Sequence, residues 1–118
     1  MNLRNFLYIC LCFVTLFANA QTRELREKAN DAKRNGNLKV ALSLYTALID
    51  QLDNNDPRLV EAYGNRAYCN KHLGNYSIAL SDYDKAMENA NSKYQDILKL
   101  NKSDLMILLG LYSDAEKL

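Results

Sequence analysis

Cys69 and His72 stand three residues apart, so on a helix they share one side. A thiol beside an imidazole is the minimum for nucleophilic catalysis, because the base takes the proton and leaves a thiolate. Nothing else in the chain completes such a site. His72 is the one histidine of the 118 residues, so it and a single cysteine cannot supply a zinc site. Cys10 and Cys12 lie in an N-terminal apolar segment, and without that segment Cys69 has no disulfide partner. A Ser/His/Asp set, a Gly-rich phosphate loop, an HExxH helix and paired cysteines are all missing. Cys69 therefore reads as a small apolar residue in a helix-packing seam. The expectation is a protein that is not an enzyme and carries neither cofactor nor metal.

A second chemistry, anion binding, is offered by Arg23, Arg26, Lys33 and Arg34. Glu24, Glu27 and Asp31 are interleaved with them, and the whole chain carries a formal charge of only +1. A chain this close to neutral has no bulk attraction to nucleic acid or to anionic lipid. Any charged site must be a local patch. The remaining Asp and Glu read as solvated helix-surface residues beside Lys and Arg.

The elements that hold these groups divide at residue 20. Met1–Asn5 is polar and carries Arg4; residues 6–17 are apolar apart from Thr15; Ala18-Asn19-Ala20 supplies small residues before Gln21. That order matches an export signal, and the expected cleavage point follows Ala20. The apolar run is short of the ~20 residues that span a bilayer. Ile9 before Cys10 and Leu11 before Cys12 are too bulky for lipidation sites. Residues 1–20 are thus expected to be a signal peptide. No stable membrane span is expected after cleavage. The destination would be the periplasm or exterior of a bacterium, or the secretory route of a eukaryote.

From Gln21 onward the apolar spacing is helical. Leu38, Ala41, Leu42, Tyr45, Leu48, Ile49 and Leu52 hold one face over four turns, and Tyr76, Ala79, Leu80, Tyr83 and Met87 hold another. Asp56-Pro57 starts a helix, since Asp caps and Pro suits the first position. Asn35-Gly36-Asn37 and Gly74-Asn75 are tight helix-to-helix turns. Gly36-Asn37-Leu38, Gly74-Asn75-Tyr76 and Gly110-Leu111-Tyr112 are each followed by alanine, at Ala41, Ala79 and Ala115, with the glycines 38 and 36 residues apart. Such a period marks a solenoid of helix pairs, each alanine sitting where two helices cross.

The stretch from Asn65 to Ala86 resembles a tetratricopeptide repeat along its length, with Ala67, Gly74, Tyr76, Ala79, Tyr83 and Ala86 on the family's packing positions. The first unit is similar at Ala29, Gly36, Ala41 and Tyr45, with Leu48 in place of the last small residue. The third is similar at Ser103, Gly110, Tyr112 and Ala115. The resemblance implies an all-α helix-turn-helix solenoid of about two and a half repeats over 21–118. Its units are 22–56, 57–91 and an incomplete 92–118. Against the family period of about 34 residues, the first interval carries extra residues, expected in Ile49–Asp56 as more helix and a longer loop. A polar capping helix of the kind that closes solenoids is not visible after the apolar Leu105–Leu109. That raises self-association through this end, or a helical sensor, spacer or assembly segment of a longer envelope protein, as the rival function.

The resemblance also implies a concave groove lined by the first helix of each unit. On that register Arg23, Arg26, Asn30, Lys33 and Arg34 face the groove from unit one. Glu61, Asn65, Tyr68, Lys71 and His72 face it from unit two, and Ile97, Asn101 and Asp104 from unit three. The expected ligand is a protein or peptide, with an acidic or C-terminal segment suited to the basic first unit, because arginine holds a carboxylate through two parallel bonds. Arg26, Asn30 and Asn65 are similar to residues that co-chaperones of this family use to grip C-terminal carboxylates. The two basic positions of their third motif hold Ile97 and Asn101 instead, which halves the gripping charge. Tyr68 points into the groove on this register, where an aromatic side chain can anchor a partner; the other tyrosines of the repeats fall mostly on packing positions.

Overall fold

The computed structural model describes the backbone of residues 1–116 and the side chains of residues 1–110. Five helices follow one another: α1 (Leu3–Arg34), α2 (Leu38–Gln51), α3 (Arg58–His72), α4 (Tyr76–Glu88) and α5 (Ser92–Glu116). No strand occurs among the described residues. Each helix packs on the next in sequence, the arrangement of a short helical repeat array.

The two Gly-Asn turns are built alike, and their chemistry explains why. Gly36 and Gly74 have φ of 78° and 83°, a backbone region that costs other residues a clash at Cβ. Each ends a helix with the same pair of bonds: Gly36 N donates to Lys33 O and Asn37 N to Ala32 O, while Gly74 N donates to Lys71 O and Asn75 N to Asn70 O. The next helix then starts at once, with Ala41 N donating to Asn37 O and Ala79 N to Asn75 O. Asp56 Oδ1 accepts from Arg58 N at 2.9 Å, so the expected acid-proline start of α3 holds, one residue later than its spacing suggests.

The alanines explain how closely the helices approach. Ala29, Ala41, Ala67, Ala79 and Ala86 are completely buried. One core cluster joins Ala29 and Ala41 to Tyr45, Leu48 and Leu59 between α1, α2 and α3; a second joins Ala67, Ala79 and Ala86 to Tyr83, Leu98 and Leu105 between α3, α4 and α5. Tyr63 packs against both. The extra residues of the first interval are mostly loop. Residues 52–57 join α2 to α3, whereas only residues 89–91 join α4 to α5.

One sequence expectation, the third turn, meets a different geometry. Helix α1 runs through Ala18–Gln21 without interruption, so the division at residue 20 is not an element boundary. Residues 3–20 are all exposed, and of them Asn19 reaches the hollow between α1 and α3. Gly110 is a correction: α5 passes straight through it, with no third turn. Gly36 and Gly74 are each followed by Asn, which begins a new helix, whereas Gly110 is followed by Leu111, a strong helix former. The side chains of Tyr112 and Ala115, expected on packing positions, lie outside the described residues. Along α5, Leu98 and Leu105 are buried while Leu100, Met106 and Ile107 are exposed, apolar side chains on which nothing among the described residues packs.

Candidate functional site

Helices α1, α3 and α5 are the first members of successive pairs, and they line one side of the array. Spacings of three and four along α1 and α3 put Arg26 opposite Glu61 and Lys33 opposite Asn65. Arg26 donates from Nε and a terminal nitrogen to both oxygens of Glu61, at 2.9–3.3 Å. Lys33 Nζ donates to Asn65 Oδ1 at 2.8 Å. These two rungs tie α1 to α3. No hydrogen bond or ion pair among the described residues ties α3 to α5 in the same way.

The rungs separate two hollows. A recess of about 250 Å³ lies between α1 and α3, with Arg23, Arg26, Arg58, Glu61 and Asn65 around a floor of Tyr45, Leu48 and Ala62. A trough of about 300 Å³ runs on between α3 and α5. Lys33, Asn65, Tyr68, Lys71 and His72 form one wall of the trough; Tyr94, Ile97, Leu98 and Asn101 form the other. Inside it, the Lys33 ammonium sits 4.6 Å from the Tyr68 ring centre, and the Tyr68 and His72 rings are 4.2 Å apart. Tyr68 is 39% exposed and so presents ring area to a ligand.

Most of the residues placed in a groove by sequence are therefore brought together: Arg23 and Arg26 at the recess, Lys33, Tyr68, Lys71, His72 and Asn101 at the trough, and Asn65 at both. Three line neither hollow: Asp104 is exposed on α5, and two more are used elsewhere. Asn30 Oδ1 accepts from the Tyr45 hydroxyl at 2.6 Å, so it packs α1 on α2 and lines neither hollow. Arg34 pairs with Asp31 one turn back on its own helix and also lines neither. Arg26, Asn30 and Asn65, the three residues similar to carboxylate-gripping positions, all have partners within the chain.

Tyr94 also lines the trough, although the repeat register does not place it among the groove residues. It precedes Ile97 by three residues and Asn101 by seven, the spacing of one helix face. A larger surprise is Asp82, which reads from sequence as a surface residue and is 1% exposed. It receives two parallel bonds from Arg66, at 2.9 and 2.8 Å, and a third from Asn70 Nδ2 at 3.2 Å. The Asp82 carboxylate holds the Arg66 guanidinium above the usual arginine range. Asp82 lies three residues after Ala79 and four before Ala86, so counting along α4 puts it on the buried face.

Cys69 is fully buried while His72 is exposed in the trough. Burial pushes the Cys69 thiol above its ordinary range, which disfavours the thiolate a nucleophile needs. Among the described residues no His, Cys, Asp and Glu cluster has the makings of a metal site.

No family model and no solved structure matches the chain. It is 33% identical over 99 residues to a Protein SGT1 homolog of Oryza sativa subsp. japonica, a match covering 84% of this chain and 25% of the rice protein. The chain thus spans about a quarter of the length of the curated relative it matches.

Proposed function

We propose that the helical array is a non-catalytic scaffold that binds a protein or peptide segment along α1, α3 and α5. The observation that carries this reading is the trough between α3 and α5. Cationic, amide, aromatic and apolar side chains converge there from α1, α3, α4 and α5, and among the described residues no hydrogen bond or ion pair closes it between α3 and α5. Lys33, Lys71 and an exposed tyrosine suit a segment bearing acidic groups. The similarity to a quarter of a longer relative fits a module that serves a larger protein. Selection of displayed peptides on the full chain tests this. Binders recovered on the natural protein and lost on Lys33→Glu/Lys71→Glu support the scaffold; binders indifferent to both changes, or none at all, reject it.

Residues 1–20 act, in this reading, as an export signal cleaved after Ala20, placing the repeats outside the cytosol. The apolar order of the segment and the exposure of its side chains support this. Fusing residues 1–20 to a reporter and sequencing the exported product tests it; a reporter retained in the cytosol rejects export.

A second reading rests on the exposed Leu100, Met106 and Ile107 of α5, a face suited to assembly with a further helix. Light scattering of the full chain beside Met106→Glu/Ile107→Glu separates an assembly segment from a free scaffold.

A further inference from the structure

The bond set at Arg26 is the one a ligand carboxylate would make. Two nitrogens on one edge of the guanidinium face both oxygens of Glu61, the fork-on-fork geometry by which arginine recognises a free carboxylate. Glu61 belongs to α3 and reaches across to α1, so it fills from inside the position that an acidic partner would fill from outside. Both side chains remain close to half exposed, at 46% and 44%. Ion pairs this open to water are weak, so exchange with an incoming carboxylate is feasible. Glu61 also lines both the recess and the trough, which puts its carboxylate at the boundary between them.

We propose that Glu61 is an internal competitor that masks Arg26, and that an acidic segment enters the α1–α3 recess by displacing it. This rests on the reading of the array as a peptide-binding scaffold. The surrounding charges favour the exchange. Arg58 is paired with Asp56, whereas Arg23 lines the same recess with no ion-pair partner among the described residues. With Glu61 displaced, Arg23 and Arg26 face the ligand together over the apolar floor of Tyr45, Leu48 and Ala62. The masked state carries less positive charge, so a weakly acidic or neutral segment gains little from entering. Glu61 thereby sets a threshold of acidity for the partner.

The test measures binding of a fluorescein-labelled glutamate-rich peptide, and of its glutamine counterpart, to the full chain by anisotropy. Glu61→Gln keeps the shape of the side chain and removes its charge. The expected result is a gain of about tenfold for the glutamate peptide, with the glutamine peptide unchanged. The gain should vanish in Arg26→Gln/Glu61→Gln. A Glu61→Gln protein that binds the glutamate peptide equally or more weakly overturns the masking role and makes Glu61 a support for Arg26. Equal gains for both peptides overturn it too. If displayed-peptide selection yields groove binders while Glu61→Gln changes nothing, the scaffold stands and the masking falls. If neither protein binds any peptide, both fall.

Discussion

Arg66 on α3 clasps Asp82 on α4 through two parallel bonds, with the acid 2% and the arginine 16% exposed at their side chains. Asn70 and, through Arg66, Thr46 of α2 complete the network, so three helices share it. Taking two charges out of water is costly, and what offsets the cost here is full pairing of the carboxylate. Removing one partner leaves the other desolvated and alone. Asp82→Ala is expected to lower the unfolding free energy by about 3 kcal/mol. Arg66→Met/Asp82→Leu, which removes both charges and keeps the volume, should cost much less. Urea melts of the three proteins check this; equal losses for the single and double changes would show that the pair contributes nothing as a pair.

Tyr45 makes stability depend on alkaline pH. Burial pushes its phenol well above the ordinary tyrosine range, and its proton is donated to Asn30. A group raised in the folded protein contributes stability that is complete below its unfolded pKa. That contribution is lost as the pH climbs beyond it. For a phenol the loss therefore begins near pH ~10. Tyr83, raised by burial as well, acts in the same direction. Cys69, also raised, starts the decline earlier, from about pH 8.5. Tyr45→Phe should lose about 1 kcal/mol at neutral pH through the missing bond to Asn30, and its stability should fall less steeply above pH ~10. Melting temperatures from neutral to strongly alkaline pH would reveal this, and parallel curves would exclude it.

The parts legible in the sequence were those set by local chemistry. Gly36-Asn37 and Gly74-Asn75 announce their turns because glycine alone accepts the positive φ and asparagine begins the next helix. Ala29, Ala41, Ala67 and Ala79 announce the crossings because only small residues let two backbones approach. Gly110 shows the limit of that logic: without a following Asn, spacing alone did not make a turn. What depends on a partner across the fold was not legible. Helical register puts Arg26 and Asn30 toward a groove, but it does not say that Glu61 and Tyr45 already occupy them. Asp82 was misread for another reason. Its residue type suggests water, while its place between Ala79 and Ala86 dictates burial, and Arg66 made the second outcome affordable.

Tyr68 is held by two neighbours, the Lys33 ammonium above its ring and the His72 ring beside it. Held in this way it loses little freedom when a ligand arrives, which favours an anchor role. Tyr68→Ala should weaken selected groove peptides by about tenfold, whereas Tyr68→Phe, which keeps the ring, should retain most of the affinity. Because Tyr68 is exposed and outside both core clusters, the alanine change should cost about 1 kcal/mol of stability or less. Loss of binding in Tyr68→Phe as well would assign the contact to the hydroxyl.

Two glycines of the repeat pattern should respond to the same substitution with opposite signs. Gly74 has a φ of 83° and nothing within 4 Å of the position a Cβ would take. The penalty of Gly74→Ala is therefore backbone strain alone, about 1–2 kcal/mol. Gly110 lies inside α5 with equally open space around it and no positive φ. There alanine relieves the entropy cost of glycine in a helix, and Gly110→Ala should stabilise α5 by up to about 1 kcal/mol. Thermal or urea unfolding of the two variants measures both signs. A destabilised Gly110→Ala would mean that residue 110 forms a turn like those at Gly36 and Gly74, and that α5 ends there rather than running on to Glu116.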